Sequence, residues 1–159
     1  MDVESASSLR RLLLTQPVAA LGTLHRGEPA VSMVPFVLVP EEAALLIHVS
    51  ALATHTRDMI EHGRVGVMVM ADLEPGAAPQ ALPRVTLQAE AQALARDSVE
   101  HDQARGRYLR RFPDAAITFD LADFSLFVLR PSSARLIAGF GRAQGFVGAA
   151  LQAWLRGPG

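Results

Sequence analysis

Short β-patterned segments separated by turn residues constrain the fold of this chain more than any other feature. In residues 84–94, for example, Val85, Leu87 and Ala89 recur at every second position, as on one face of a strand. Most of these segments follow one another in hairpin order, so the pattern predicts a mainly β fold: an antiparallel barrel with peripheral helices. The predicted strands are 18–24, 30–39, 44–49, 65–70, 84–94, 124–129 and 134–138.

Segments with helical spacing lie around these strands. The expected N-caps are Ser7 or Ser8 for the first helix and Asp97 for the third. Residues 131–133 are expected to form a turn. No linker divides the chain, which predicts a single domain over residues 1–159 with a core of about 9–146. The predicted helices are 8–16, 50–62, 97–111 and 146–156.

Composition excludes several classes of function. The net charge is -1 and the pI is about 6.5, whereas a nucleic-acid binder usually carries a basic surface. The absence of cysteine removes thiolate catalysis and disulfides. All 15 cationic side chains are Arg, so the chain has no lysine for a Schiff base or for a Walker-type phosphate loop. Any bound anion must therefore be held by Arg, His, hydroxyl groups or backbone N–H groups.

The N-terminal region predicts the compartment. It is acidic before its apolar stretch, unlike a secretory signal, and no stretch approaches the roughly 20 apolar residues of a membrane span. We therefore expect a cytoplasmic protein with no membrane partner.

The segment from Ser50 to Asp58 is the most informative for chemistry. It follows a strand and opens a helix, whose first turn has unpaired N–H groups and a partial positive charge. Thr54 is a candidate N-cap, and His55, Thr56 and Arg57 would then stand where they could donate to a phosphate. The alternative is an ordinary helix end in contact with water.

Other candidate groups are weaker. Arg84 begins a strand and could reach a ligand across the sheet, or it could simply be solvated. Gly139, Phe140 and Gly141 could let the backbone approach a ligand or a second chain closely, or they could form a bulge. The histidines show no zinc spacing, so no metal site is predicted. They are His25, His48, His55, His62 and His101.

Five segments in order carry a resemblance to a known family. They are GEPAVSMVPF, LLIHVSALATHTRDM, PRVTLQAEAQ, YLRRFPDA and DFSLFVLRPSSARLIAGFGRA. In this order the sequence resembles the haem-utilisation (HugZ-type) branch of the pyridoxamine-phosphate-oxidase-like FMN-binding split barrels, over about residues 9–146. The resemblance implies a six-stranded antiparallel split β-barrel with Greek-key connections. It also implies a homodimer that binds two FMN at its interface.

The resemblance also assigns roles to residues. The strand containing Ser32, Met33, Val34 and Pro35 would lie along the isoalloxazine ring of FMN. Arg84 would reach the flavin, and Gly139 and Phe140 would approach it from the second subunit. The phosphate-binding turn would consist of Ser50, Thr54, His55, Thr56 and Arg57.

Departures from the family pattern narrow the function. Ser32 and apolar neighbours stand where true pyridoxamine-phosphate oxidases carry Arg and Lys, and residues 106–112 lack the substrate-phosphate motif. Haem-degrading members use a histidine in the C-terminal region, whereas the last histidine here is His101. The sequence therefore predicts an FMN-dependent oxidoreductase of unknown substrate that is not a true pyridoxamine-phosphate oxidase. No catalytic residue is identified; His48 and His55 are the nearby acid–base candidates. The alternatives are a haem-binding protein and a non-enzymatic module that has lost flavin.

Overall fold

An antiparallel sheet curled into a half-barrel dominates the structure, a computed structural model that describes residues 2–139 and 141–157. Over those residues it has eight strands and five α-helices. The strands are β1 (Val18–His25), β2 (Glu28–Pro35), β3 (Val37–Val39), β4 (Ala44–Ser50), β5 (Arg64–Met70), β6 (Arg84–Ala93), β7 (Phe124–Ile137) and β8 (Ala143–Val147). The helices are α1 (Val3–Thr15), α2 (Thr54–Glu61), α3 (Val99–Arg111), α4 (Ala116–Phe119) and α5 (Gly148–Arg156).

The order of the strands explains why the sheet curls. The order is β2-β1-β5-β6-β7-β4-β3, with β8 paired to β7, so β2 and β3 lie at opposite ends of the main path. Only Phe36 separates these two strands in sequence. Residues so close along the chain cannot be far apart in space, so the sheet must bend until its two ends meet.

The predicted fold class, mainly β with peripheral helices, is confirmed, but the strand count of six is wrong. Phe36 is buried and breaks the predicted strand 30–39 into β2, which pairs with β1, and β3, which pairs with β4. Residues 143–147 add the strand β8.

The predicted turn at residues 131–133 is also wrong, because β7 runs through it. Ala89 pairs with Pro131 and Gln88 with Ser133, which leaves Ser132 as an extra residue at a bulge. A bulge tolerates proline because the local ladder is already interrupted there.

Burial follows the strand pattern. Inward residues of β1, β5 and β6 form the barrel core with Leu9 and Leu13 of α1. Strand β4 is buried on both faces: Leu45 and Ile47 point into this core, and Leu46 packs against a second cluster with Tyr108 of α3. This explains why β4 is a continuous apolar run and does not alternate.

The helix caps differ from the prediction in detail. Asp2 caps α1, accepting from the backbone N–H of Ser5 at 2.7 Å, so Ser7 and Ser8 lie inside the helix. Ser98, one residue after the predicted Asp97, caps α3. Helix α5 packs on α1, where the Trp154 indole donates to a backbone carbonyl at 2.9 Å. None of the helices described is long and apolar enough to cross a membrane.

Candidate functional site

The predicted phosphate turn lies between the end of β4 and the start of α2. Ser50 is the last residue of β4, and Thr54 is the first residue of α2. Ala53 occupies the N-cap position, so the prediction that Thr54 caps this helix is wrong. Because Ala53 has no side-chain acceptor, the first-turn N–H groups of α2 receive no side-chain cap.

Two of the predicted phosphate ligands are engaged within the protein. The Ser50 hydroxyl donates to a carboxylate oxygen of Asp123 at 2.8 Å and accepts from the backbone N–H of Leu52 at 3.1 Å. The hydroxyl of buried Thr56 donates to the Ser50 carbonyl at 2.7 Å. The negative charge of Asp123 beside Ser50 disfavours a second anion at this hydroxyl.

The remaining predicted phosphate ligands face outward to different degrees. Thr54 and Arg57 are exposed, whereas His55 is half-buried. Burial lowers the pKa of His55, and the nearby Asp58 carboxylate partly offsets this effect. His55 is therefore neutral at neutral pH, and Arg57 is the cation that this turn presents to solvent.

The strand predicted to lie along a flavin ring is the edge strand β2. Val34 points into the core at 2% exposure, while Met33 is 64% exposed on the outer face of the sheet. Ser32 and Met33 line an apolar groove of about 590 Å³. The groove also contains Val18, Ala20, Val31, Met68, Met70, Leu73 and Leu82.

Arg84 and Gly139 lie near the same end of the β6–β7 ladder, far from α2. Arg84 Nη1 donates to the Leu82 carbonyl at 2.9 Å, and Gly139 has φ +144°. Arg84 pairs with Ile137 of β7, whereas Ser50 pairs with Phe124 at the other end of that strand. At about 3.3 Å per residue, β6 is roughly 30 Å long, and this length separates the end that contains Arg84 from the end that contains Ser50. Phe140, also predicted to contact the cofactor, lies outside the described residues.

A second depression, which we call the glycine trough, crosses the outer face of β1, β5 and β6. Gly22 and Gly66 pair directly on neighbouring strands, and a Cβ built on Gly66 would meet no atom within 4 Å. The depression has a volume of about 410 Å³. Its lining includes Leu24, Arg64, Gln88, Glu90 and Ser132. Glycine inside a strand often marks a place where a ligand approaches the backbone closely.

A buried carboxylate holds a histidine at the end of β1. Asp58 of α2 is 2% exposed; it accepts from the Thr23 hydroxyl and from His25 Nδ1, each at 2.8 Å. Burial acts to raise the pKa of Asp58. The hydrogen bonds from His25 and Thr23, with the charges of His25 and His55, outweigh it and lower the pKa below its ordinary value. The carboxylate is thus ionised at neutral pH.

His48, one of the two predicted acid–base candidates, lies in an aromatic cluster. Its ring stacks on Phe119 with centroids 3.8 Å apart and contacts Tyr108 edge-on. Burial, followed by the charges of His101 and Arg96, lowers the pKa of His48 to about 4. Burial also raises the pKa of Tyr108 to about 12. Both rings are therefore neutral at neutral pH, and they pack α3 and α4 against β4.

Sequence reasoning missed the cluster of Thr23, His25 and Asp58. One signal was present: Thr23 and His25 continue the inward positions of β1 after Ala19 and Leu21, so two polar groups occupy apolar positions. Their partner is 33 residues from His25 in sequence, and no pattern links them. The described residues hold no group of three or more His, Cys, Asp or Glu that could bind a metal ion.

The chain is similar in sequence to a known protein family and to two of its relatives. The sequence pattern of the pyridoxamine 5'-phosphate oxidase family matches residues 6–138. Heme oxygenase HutZ of Vibrio cholerae is 33% identical over 119 residues, which cover 74% of this chain and 66% of that protein. The chloroplastic non-canonical heme oxygenase HOZ of Arabidopsis thaliana is 31% identical over 121 residues, 75% of this chain and 35% of that protein.

A solved structure supports the same relationship. The heme binding protein from Mycobacterium smegmatis superposes with a TM-score of 0.83 at 29% identity, over 96% of this chain and 61% of that one. The split-barrel architecture expected from the sequence is therefore confirmed. The chain spans about a third to two thirds of the length of these relatives.

Proposed function

The chain belongs to the pyridoxamine 5'-phosphate oxidase family, and on that premise we propose that it is a haem-binding protein that acts in haem utilisation. Its described relatives include two haem oxygenases and a haem-binding protein, matched over 74% to 96% of the chain. These relatives favour haem as the cofactor over the FMN that the sequence predicts.

The observation that carries this proposal is the glycine trough on a sheet shared with haem-binding relatives. Haem is a flat, largely apolar ring that carries two propionate carboxylates, so an open, flat surface flanked by a cation suits it. Gly22 and Gly66 provide a floor without side chains, and Leu24 provides an apolar wall. Exposed Arg64, whose cross-strand partner is Glu90, provides the cation. The volume of about 410 Å³ lies in the range of small-molecule sites. Haem, when bound, would supply redox-active iron, while the protein binds and orients it.

Filling the trough tests the proposal. A titration of the full chain with haemin should give a shifted Soret band. In Gly66→Leu, where the new side chain would occupy the trough, affinity should fall by at least about tenfold, or roughly 1.4 kcal/mol. Gly106→Leu is the matched control, because Gly106 lies at an exposed position of α3 and its Cβ would also meet no atom within 4 Å. Equal affinity for all three proteins would refute the trough as the haem site.

FMN is the second candidate, and one observation favours it. The first turn of α2 lacks a side-chain cap and presents exposed Thr54 and Arg57, which suits a phosphate group. The same titration with FMN decides between the two cofactors. FMN uptake that is weakened strongly by Arg57→Ala would support the flavin, and no spectral change with FMN would remove this candidate.

We also propose that the apolar groove is covered by a second copy of the chain. Val31 and Met33 are 77% and 64% exposed, and they adjoin Met70 at 42%. Such a continuous apolar surface usually marks an interface. Light scattering should show a dimer for the wild type and a monomer for Met33→Asp. Ile117→Asp is the control, because Ile117 on α4 is also an exposed apolar residue, at 75%, and lies outside the groove. A monomeric wild type would refute this proposal.

A further inference from the structure

Arg64 stands at one end of the glycine trough, where a histidine holds its guanidinium. Its Nη2 lies 3.3 Å from His62 Nε2. A guanidinium can only donate, so this imidazole nitrogen accepts and carries no hydrogen. In the part of the chain that the structure describes, no ion pair joins Arg64 to a carboxylate. The other N–H groups of this exposed side chain are therefore available to a ligand.

Other arginines are held in ways that serve the fold. Arg96 Nη2 donates to three backbone carbonyls at and just before the start of β7. Arg107 forms ion pairs with Glu41 and Glu42 and so ties α3 to the turn between β3 and β4. The bond from Arg64 to His62 differs from these, because a neutral imidazole orients the guanidinium without neutralising its charge.

The charges beside Arg64 leave this end of the trough positive. Arg64 pairs with Glu90 on β6, and Glu90 pairs with Arg130 on β7. All three residues are exposed on the outer face, so one negative charge stands between two positive charges. The Glu90 carboxylate lies beside Gly63, at the position that a Cβ of residue 63 would take. It therefore lies at the end of the trough and leaves the glycine floor open.

The two ends of the trough differ in a way that matches the two edges of haem. At the end opposite Arg64, the next outward pair of β1 and β5 is Ala20 and Met68, which line the apolar groove. Haem carries both propionates on one edge of its ring, and its opposite edge is apolar. A guanidinium offers parallel N–H groups that match a carboxylate. The trough therefore favours one orientation, with the propionates at Arg64 and the apolar edge at Met68.

We propose that Arg64 binds a propionate of haem and thereby orients the ring, and that His62 is the positioning residue of Arg64. This inference rests on the proposed haem-binding function. Glu90 acts in the opposite sense, because its negative charge stands next to Arg64 and opposes a bound carboxylate. The trough thus selects porphyrins that carry a free carboxylate.

Titrations of the full chain with haemin and with haemin dimethyl ester, whose esterified propionates carry no charge, test the inference. The ratio of the two Kd values measures the preference for free carboxylates. The wild type should prefer haemin by about fivefold, the upper end for an exposed ion pair, and Arg64→Gln should lose most of this preference. Glu90→Gln should increase the preference, because it removes the opposing charge. Salt at about 1 M should reduce it, because the Debye length is then about 3 Å.

Two further sets of variants test the role of His62 and the orientation of the ring. His62→Gln keeps a side-chain acceptor and should keep the preference, whereas His62→Leu should lower it by about twofold; equal preferences in these two variants would overturn the positioning role. Arg135→Gln is the matched control, because Arg135 is an exposed arginine that pairs with Thr86 near the opposite end of the trough. It should keep the wild-type preference.

The outcomes separate this inference from the proposed function. A preference that is unchanged in Arg64→Gln, or that is lost in Arg135→Gln instead, would overturn the assignment of Arg64 while leaving haem binding intact. Failure of the wild type to take up haemin would overturn the proposed function, and this inference with it. Circular dichroism of each variant confirms that it is folded.

Discussion

Replacing Asp58 with Ala measures how much its buried carboxylate stabilises the fold. Thr23 is 4% exposed, and its hydroxyl would lose its acceptor; an unsatisfied buried hydroxyl costs about 1–3 kcal/mol. Loss of the bond to His25 adds about 1 kcal/mol, since the 42% exposed imidazole can turn to water. The free energy of unfolding should therefore fall by about 3 kcal/mol, which lowers Tm by roughly 6–12 °C for a domain of this length.

The pH dependence supplies a second test of the same variant. The pKa of Asp58 lies below its ordinary value of 3.8. A lowered pKa in the folded state means that the carboxylate stabilises the fold above pH 3.8 and that this contribution is lost as the pH falls through the folded pKa. Urea unfolding followed by circular dichroism should thus show a large difference between wild type and Asp58→Ala at neutral pH. The difference should shrink below pH 3.8.

Two further variants separate the hydrogen bonds from general effects of mutation. In a Thr23→Val background, Asp58→Ala should cost about 1–2 kcal/mol less, because no buried hydroxyl is then left without a partner. Glu61→Gln, at an exposed position of the same helix, should change stability by less than about 0.5 kcal/mol. A cost for Asp58→Ala as small as that of Glu61→Gln, or one that persists unchanged in acid, would refute the reasoning.

Three other stability predictions can be checked by thermal or urea unfolding. Ser98→Ala should cost about 1 kcal/mol because it removes the cap of α3, whereas Ser7→Ala, inside α1, should be neutral; equal costs would contradict the observed caps. Gly63→Ala should cost about 1–3 kcal/mol, because its Cβ would lie 2.9 Å from a backbone oxygen of β6, while Gly66→Ala meets open space and should be tolerated. The pKa of His48, about 4 against 6.5 ordinarily, means that stability falls as the pH drops across that window. His48→Gln should flatten this acid slope, and an unchanged slope would show that another group causes it.

Much of the fold could be predicted because strand and helix patterns are local. The alternation at Val85, Leu87 and Ala89 reappears as the buried face of β6. The strand boundaries were less predictable, because long-range pairing decides them. Phe36 interrupts the predicted strand 30–39 at the point where its pairing partner changes from β1 to β4. Pro131 reads as a turn signal, yet pairing with β6 extends β7 through it as a bulge.

The candidate site was predictable only in part. The sequence identified the start of α2 and the outer strand β2, but it could not show that the hydroxyls of Ser50 and Thr56 are used by the protein itself. It assigned Arg84 to the same cofactor as the phosphate turn, and within one chain these two groups lie near opposite ends of β7. These facts depend on which groups meet in space, and residue types alone do not record that.

The sequence by itself determined the fold class, the family and the exclusion of lysine and cysteine chemistry, because composition, periodicity and motif order are properties of the chain. Only the tertiary structure decided which polar groups became partners. The carboxylate of Asp58 bonds to His25, which is 33 residues away in sequence, and Gly22 of β1 pairs directly with Gly66 of β5. Such contacts form when the curled sheet brings distant segments together, since burial requires each polar group to find a partner within hydrogen-bond distance.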